Sequence, residues 1–488
     1  MTDSVRLWHR GEIVEVTDVP ADSTVLAWLR TTRRSMGTRE GCNEGDCGAC
    51  AIALGIPDGR DGLSVSVRHA CTMLVPMLHG TALITVEDLA RDGELQPMQR
   101  AMVDNRGSQC GFCTPGIVVS LWRLHHDAWA SGRTLEPEEV RTGLSGHICR
   151  CTGYRSIVEA GVAASAFPEA LLDEGVIVHA LGAIARDRDL DYAAQETTYL
   201  APATTDALLR GRRDRPDARL VAGGTDVLPD VPGRGELPAH WLATSRVRGF
   251  DEVRRVNDAL VFGGGASIEA AWSALAAEFP TLERGWRRFA SPPIREAGTL
   301  AGNLVTGSPV GDSAPLLLAL DARIVLANVD SERTVPLDDF YSGYRQTVMA
   351  PDEVVLRAEV PLGDVPLDVR MFKVARRFDN DIAAVSAAFA LSLDGDTITS
   401  ARVAFGGMSA TPSRALAVES ALVGGAWDQA AVLRACAAIE SDFQPLDDVR
   451  GSAEYRRRVA FGVIERWWLQ TRPLNPLPVD ETEVWTFA

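Results

Sequence analysis

The sequence predicts a multidomain α+β chain, and three observations carry that reading. At 488 residues the chain exceeds what one hydrophobic core sustains, so about three domains are expected. Eight of its nine cysteines fall between residues 42 and 151, which marks the N-terminal part as chemically distinct. From 152 to 435 there is no cysteine, and short β-rich runs alternate with helical ones, the pattern of mixed α and β layers.

Composition narrows the class. Hydrophobic residues make up 46% and charged residues 24%, ordinary for a globular protein with proper cores. Lys and Arg total 49 against 66 Asp and Glu, a formal charge of −17. Such an acidic balance argues against nucleic acid and anionic membrane as partners. The opening MTDSVRLWHRG has no apolar signal core, and no 18-residue apolar run occurs, so a soluble, cytoplasmic protein is expected. In a reducing compartment the cysteines need a use other than structural disulfides.

The cysteines divide into two sets of four. In GCNEGDCGAC, Cys42, Cys47 and Cys50 read C-x4-C-x2-C. With Cys71 they match the plant-type spacing for one [2Fe–2S] cluster. Gly41, Gly45 and Gly48 let such a loop wrap closely and adopt dihedrals closed to other residues. Backbone N–H groups then point at the sulfurs and adjust the reduction potential. The second set is Cys110, Cys113, Cys149 and Cys151. Thr114 and Pro115 are placed to cap and open a helix over GIVVSLWRL, and Pro137 to open another. Helix N-termini meeting there would favour an anionic cluster. Zinc is the alternative for both sets, since paired cysteines also bind zinc. Cys436, in the alanine-rich AAVLRACAAIE, reads as a small buried apolar residue.

EGCNEGDCGAC, QCGFCTPG and HICRCTGYRSI together resemble the iron–sulfur half of the molybdenum hydroxylases, the xanthine dehydrogenase and aldehyde oxidase group. His147 departs from that group, where asparagine is more common; one reading has it alter the second cluster's potential, and the plainer one makes it a solvated surface histidine. The resemblance continues beyond the cysteines. LVAGGTDVLPD, GTLAGNLVTGSPVGDSAPLLLALDA, FYSGYRQTVMAPDEVVLRAEVP and FKVARRFDNDIAAVS are similar, in order and spacing, to the family's flavin module.

The resemblance implies a plant-type ferredoxin β-grasp domain over 1–88 and a helical [2Fe–2S] bundle over 89–165. A linker over 166–190 leads to a two-part α+β FAD domain over 191–367 and a small α+β C-terminal flavoprotein domain over 368–488. By that likeness Leu220, Val221, Ala222, Gly223, Gly224, Thr225, Asp226 and Val227 cradle the FAD pyrophosphate, and Thr299, Leu300, Ala301, Gly302 and Asn303 form a second wall. Phe289 lies by the isoalloxazine, Asp312 accepts a hydrogen bond from the cofactor, and Val355 and Lys373 touch the flavin. Each residue also has a plainer reading: Phe289 as core, Asp312 as a helix cap, Gly223-Gly224 and VFGGGASI as β-turns. No G-x-G-x-x-G fingerprint occurs, and no residue is assigned a catalytic role.

Flavins attach covalently through His, Cys or Tyr. Residues 191–365 contain no Cys, a single His (His240), and tyrosines only outside the flavin loops. Non-covalent FAD is therefore expected. NAD is the implied electron acceptor, with the charged loop from Lys373 through Arg376, Arg377 and Asp379 to Asp381 beside it; a solvated charge run is the plain alternative. The family's molybdopterin domain has no counterpart in these residues. A molybdenum-bearing large subunit is therefore the expected partner, in an α2β2 heterotetramer. The function implied is the electron-relay small subunit of a xanthine-oxidising member, or else of an aldehyde- or N-heterocycle-oxidising one. A zinc-bearing scaffold or redox sensor is the reading from a different class.

Overall fold

VRLWH and EIVEV fold as a hairpin, β1 (Val5–His9) antiparallel to β2 (Glu12–Val16). The computed structural model describes residues 3–60, 62–90, 93–167, 172–184, 188–229, 237–363 and 367–483. These fall into two units, residues 1–250 with 290–298, and residues 251–289 with 299–488.

In the first unit the hairpin joins β3 (Ala51–Pro57), β4 (Leu63–His69) and β5 (Ala82–Ile84) in the order β2-β1-β5-β3-β4. Side chains alternate across the pleat, so this β-grasp sheet is buried on both faces. Leu7, Ile52, Leu54 and Leu83 pack with Val25, Leu26 and Leu29 of the helix Val25–Thr31. The same core takes in Tyr192, Tyr199 and Trp241 from a second sheet. On the opposite face Trp8, Ala53, Val65 and Ile84 meet Ile117, Leu121, Trp122 and Ile157 of the helices Thr114–Ala130 and Arg155–Ala164. The ferredoxin sheet and the helical bundle thus share one core.

Pro137 opens its helix, Pro137–Gly143, as expected. The long helix starts one residue earlier than the sequence suggested. Thr114 is its first residue, Cys113 takes the cap position, and the Thr114 hydroxyl bonds Ser108 Oγ at 2.8 Å. Either register accommodates Pro115, because first-turn N–H groups lack an intrahelical acceptor. Within 166–190, a helix Glu174–Gly182 buries Ile177 and Leu181 in the shared core.

The second sheet holds β6 (Leu190–Ala194), β7 (Thr197–Ala201), β8 (Arg219–Val221) and β9 (His240–Ala243), ordered β6-β7-β9-β8. The segment Ala290–Gly298 returns to this unit, where its helix Pro292–Ala297 packs on β4.

Among the described residues the second unit has two larger antiparallel sheets and a two-stranded one. One contains β10 (Val253–Val256), β11 (Ala259–Gly263), β12 (Arg323–Ala327), β13 (Glu332–Pro336) and the eight-residue strand that begins at Val354. Tyr341–Gly343 and Gln346–Thr347, β14 and β15, form a small hairpin; the Val354–Pro361 strand is therefore β16. The other sheet runs β17 (Asp368–Val374), β18 (Val385–Asp394), β19 (Thr397–Gly406) and β20 (Ser413–Arg414) in sequence order. The helices Leu416–Leu422, Gln429–Asp442 and Ala453–Thr471 contribute to a core with this sheet. Cys436 lies half-buried on the middle helix.

An aromatic stack holds that core. Trp467 is fully buried, stacked on Phe389 at 4.5 Å and tilted against Trp427 at 4.5 Å. Trp467→Ala should cost about 3–5 kcal/mol, the range for emptying a large aromatic site. Urea unfolding followed by tryptophan fluorescence should show the lowered midpoint, while the iron content of the protein stays unchanged.

Candidate functional site

The two cysteine sets lie on loops that touch. Cys42 Sγ accepts hydrogen bonds from the backbone N–H groups of Glu44 at 3.4 Å, and of Asp46 and Cys47 at 3.3 Å each. The Cys42 thiol is pushed down to about 5, first by its bond with Cys47, with these N–H groups adding to it. Cys50 and Cys71 are buried with sulfurs 3.4 Å apart, and the bond from Cys71 lowers Cys50 despite burial. In the second set, Cys110 lies beside Cys151 and Cys113 beside Cys149, all four as free thiols. Burial opposes ionisation of Cys149, but hydrogen bonds from Thr152 and its neighbours outweigh it and lower the thiol.

The thiols therefore come in pairs, 42 with 47, 50 with 71, 110 with 151 and 113 with 149. Among the described residues no three His, Cys, Asp or Glu side chains gather around one point. A [2Fe–2S] cluster takes its four thiolates over two irons, whereas zinc draws four onto one centre. The donor sets fit the two-iron group. Cys436 stands outside them, its thiol raised to about 11 by burial and by Glu465.

Glycine makes the contact between the loops possible. Gly48 has φ +72°, and a Cβ there would lie 2.4 Å from His147 Nδ1. A Cβ on Gly116, in the first turn of the long helix, would lie 2.1 Å from the Gly48 carbonyl oxygen. Only bare backbone fits on either side. The Ile148 N–H then donates to the Cys47 carbonyl at 3.1 Å, joining the neighbour of one thiol to another.

His147 is not the surface histidine its neighbourhood in the sequence suggested. It is 4% exposed, with Nε2 2.7 Å from Ser120 Oγ. Burial, with His69 nearby, pushes it down to about 3, so the ring is neutral. The residue lands inside because Ser120 faces inward from the long helix and the loop is drawn onto Gly48. The Ala290–Gly298 segment also reaches this region. Ser291 and Ile294 lie against Gly146 and Gly45, and Glu296 accepts from the Val67 N–H at 3.1 Å.

Of the expected flavin residues, Leu220–Val227 belong to the first unit and the rest to the second. After β8 the chain turns at Gly223 and Gly224. A Cβ on Gly223 would lie 1.8 Å from the Ala297 carbonyl oxygen, and one on Gly224 2.4 Å from that of Thr72. Close packing thus requires both glycines, whatever else the turn holds.

In the second unit Phe289, Asp312 and Lys373 come together. Lys373 Nζ pairs with Asp312 Oδ2 at 2.6 Å, the two side chains 1% and 6% exposed. The same ammonium donates to the Arg288 carbonyl at 3.2 Å and lies 5.8 Å from the Phe289 ring centroid. Phe289 stacks on Trp272 at 5.9 Å. Asp312 occupies the cap position of the helix Ser313–Ala319 but makes no capping bond. Its carboxylate is turned to Lys373, and Oδ1 has no hydrogen-bond partner among the described residues.

Thr299 caps the helix Leu300–Val305 by accepting from the Gly302 N–H at 3.1 Å. Buried Asn303 Oδ1 is likewise without a partner among the described residues. Leu300 and Ala301 are buried in this helix, which packs against β16, the strand carrying buried Val355. Two buried acceptors without partners among the described residues, one of them beside a buried ammonium, fit a polar heterocycle that brings its own donors.

The charged loop after Lys373 is tied to its own chain. Arg376 donates to the Val449 carbonyl at 2.7 Å and Arg377 to that of Asn380 at 2.7 Å. Arg288 bonds the carbonyls of Lys373 and Phe378.

Paired thiols on adjoining loops and a flavin-type α+β module define an electron-transferring iron–sulfur flavoprotein. Residues 85–161 match the family described as [2Fe-2S] binding domain, 194–363 the FAD binding domain in molybdopterin dehydrogenase, and 370–471 the CO dehydrogenase flavoprotein C-terminal domain. The chain belongs to the molybdenum hydroxylase family of oxidoreductases, as its iron–sulfur and FAD part.

It is 31% identical over 462 residues to xanthine dehydrogenase of Drosophila subobscura, covering 82% of this chain and 34% of that one. It is 28% identical over 538 residues to aldehyde oxidase 4 of Cavia porcellus, covering 96% of this chain and 39% of that one. The chain thus spans between 34% and 40% of the length of these curated relatives.

Among solved structures, a chain of carbon monoxide dehydrogenase from Hydrogenophaga pseudoflava aligns with a TM-score of 0.53 at 28% identity, covering 56% of this chain and 96% of that one. Quinoline 2-oxidoreductase from Pseudomonas putida 86 aligns with a TM-score of 0.54 at 26% identity, covering 58% and 99%. Among the described residues no helix is long and apolar enough to cross a membrane.

The Lys373–Asp312 pair yields a test. Lys373→Met strands a buried carboxylate and should cost about 3–5 kcal/mol. Adding Asp312→Asn should recover part of that loss, because the two changes share one interaction. Urea unfolding of the two single variants and the double gives the coupling, and flavin content read at 450 nm should fall in all three.

Proposed function

We propose that this chain is the electron-transfer subunit of a xanthine dehydrogenase, serving a molybdenum-bearing large subunit that oxidises hypoxanthine and xanthine to urate, with NAD⁺ as acceptor in an α2β2 assembly. One observation carries the reading: two complete sets of paired thiols sit on abutting loops in a chain that also bears the FAD module. When bound, the clusters supply one-electron carriage and the FAD two-electron storage.

The chain's own residues do the rest. Cys42, Cys47, Cys50 and Cys71 hold one cluster, and Cys110, Cys113, Cys149 and Cys151 the other. The backbone N–H groups around Cys42 favour the thiolate that ligation requires. Thr299–Asn303 grip the FAD without a covalent bond, and Val355 and Phe289 flank it. Asp312 and Asn303 accept from it, and Lys373 fixes the Asp312 carboxylate. Exposed Cys110 and Cys151 leave the second cluster open towards the large subunit. A second reading has support in the likeness to aldehyde oxidase 4 and quinoline 2-oxidoreductase: the same relay serving a hydroxylase of aldehydes or N-heterocycles.

The test is to purify the chain with whatever co-elutes and assay NAD⁺ reduction by xanthine, hypoxanthine, aldehydes and quinoline. Purine-driven turnover is expected; turnover with aldehydes or quinoline alone would favour the second reading. The cluster assignment has its own test. Cys47→Ser should remove one reduced-state EPR signal and Cys113→Ser the other. Loss of both signals from either change in a folded protein would contradict two separate clusters.

A further inference from the structure

His147 carries an unexplained atom. Its ring is held by Ser120 through Nε2. Its Nδ1 is buried, has no hydrogen-bond partner among the described residues, and lies against Gly48. Gly48 is one residue from Cys47 and two from Cys50. An unmade hydrogen bond at a buried nitrogen leaves its loss of water uncompensated, and native proteins rarely keep one without a reason. The ring cannot swing aside to find water. Besides Ser120, its own backbone anchors it: the His147 N–H donates to the Leu144 carbonyl at 2.9 Å, and its carbonyl accepts from Tyr154 Oη at 2.9 Å. That Tyr154 oxygen in turn accepts from the Cys149 N–H at 2.7 Å.

We propose that His147 is a positioning and tuning residue for the cluster held by Cys42, Cys47, Cys50 and Cys71, supplying it with a hydrogen bond from Nδ1–H. The inference rests on the two-cluster reading above. In this arrangement the Ser120 hydroxyl is the donor to Nε2 and the ring proton sits on Nδ1. The acceptor is then a sulfur of the cluster that the Gly48 loop wraps. A hydrogen bond to sulfur stabilises the more negative, reduced state and raises the reduction potential. Gly48 is the counterpart on the loop, since any side chain there would occupy the position of Nδ1. Ser120 sits on the helix that starts at Cys113, and His147 sits two residues before Cys149. The residue that tunes one cluster is therefore held by the frame of the other.

The experiment is a redox titration of the purified protein followed by EPR, in the unaltered chain and in His147→Ala, His147→Asn and Ser120→Ala. Iron and acid-labile sulfide are measured in each. His147→Ala should lower the midpoint potential of the signal that Cys47→Ser abolishes and leave that of the Cys113→Ser signal in place. Ser120→Ala keeps the ring and its volume but frees it, and should move the same signal the same way by less. His147→Asn, whose amide can still donate, should restore most of the shift. Two intact signals with unmoved potentials in both His147→Ala and Ser120→Ala would overturn this inference alone, as would equal shifts in both signals. Absence of two signals from the unaltered protein would overturn the two-cluster reading, and this inference with it.

Discussion

The contact at Gly48 is the constraint on which the N-terminal half depends. A carbonyl and a helix turn meet there with no side chain between them, so the long helix can approach the cysteine loop only where both partners are glycine. The core behind this contact explains why the approach is held. Trp8, Ala53, Val65 and Ile84 on one side of the β-grasp sheet are buried by the same helices that present Cys113 and Cys151. The sheet and the helical bundle, expected as two domains, are packed in one unit, and the Cys47–Ile148 hydrogen bond is the visible result at the surface of contact.

The second unit depends on a charge pair instead. Burying Lys373 and Asp312 together is tolerable only because each neutralises the other and the ammonium finds a further acceptor in the Arg288 carbonyl. Such pairs contribute little net stability, since desolvation offsets their attraction. This pair's retention in a core position is better explained by what it holds ready: the Asp312 Oδ1 oxygen, with its acceptor capacity unspent. Phe289 stacked on Trp272 supplies the flat apolar surface beside the pair.

Much of this was legible in the sequence because it rests on local patterns. Cysteine spacing, Pro137 at a helix start and the glycine-rich turns all express short-range requirements of the backbone. Thr114 was displaced by one position because helix registers slip easily within the first turn. His147 was misread because nothing local distinguishes a buried histidine from an exposed one. Its burial comes from Ser120, far away in sequence, and from the absence of a side chain at Gly48. The pairing of Lys373 with Asp312 was equally hidden: each residue stood on a recognisable stretch, but the bond between them joins a helix start to a strand 61 residues further along the chain. The stacking partner Trp272 left no signal at all, since a tryptophan in an amphipathic helix reads simply as core.

The Ala290–Gly298 segment has a consequence for biosynthesis. A chain made from its N-terminus can begin to fold its leading domain while the rest is still being synthesised. Here the first unit is incomplete until residue 298 has emerged, because Ser291, Ile294 and Glu296 pack against Gly146, Gly45 and β4. By then a stretch of the second unit, residues 251–289, is already outside. The loops at Gly45 and Gly146 therefore remain without these contacts while ribosomes finish the intervening strands, an interval in which iron and sulfide can be delivered before the first unit closes around them.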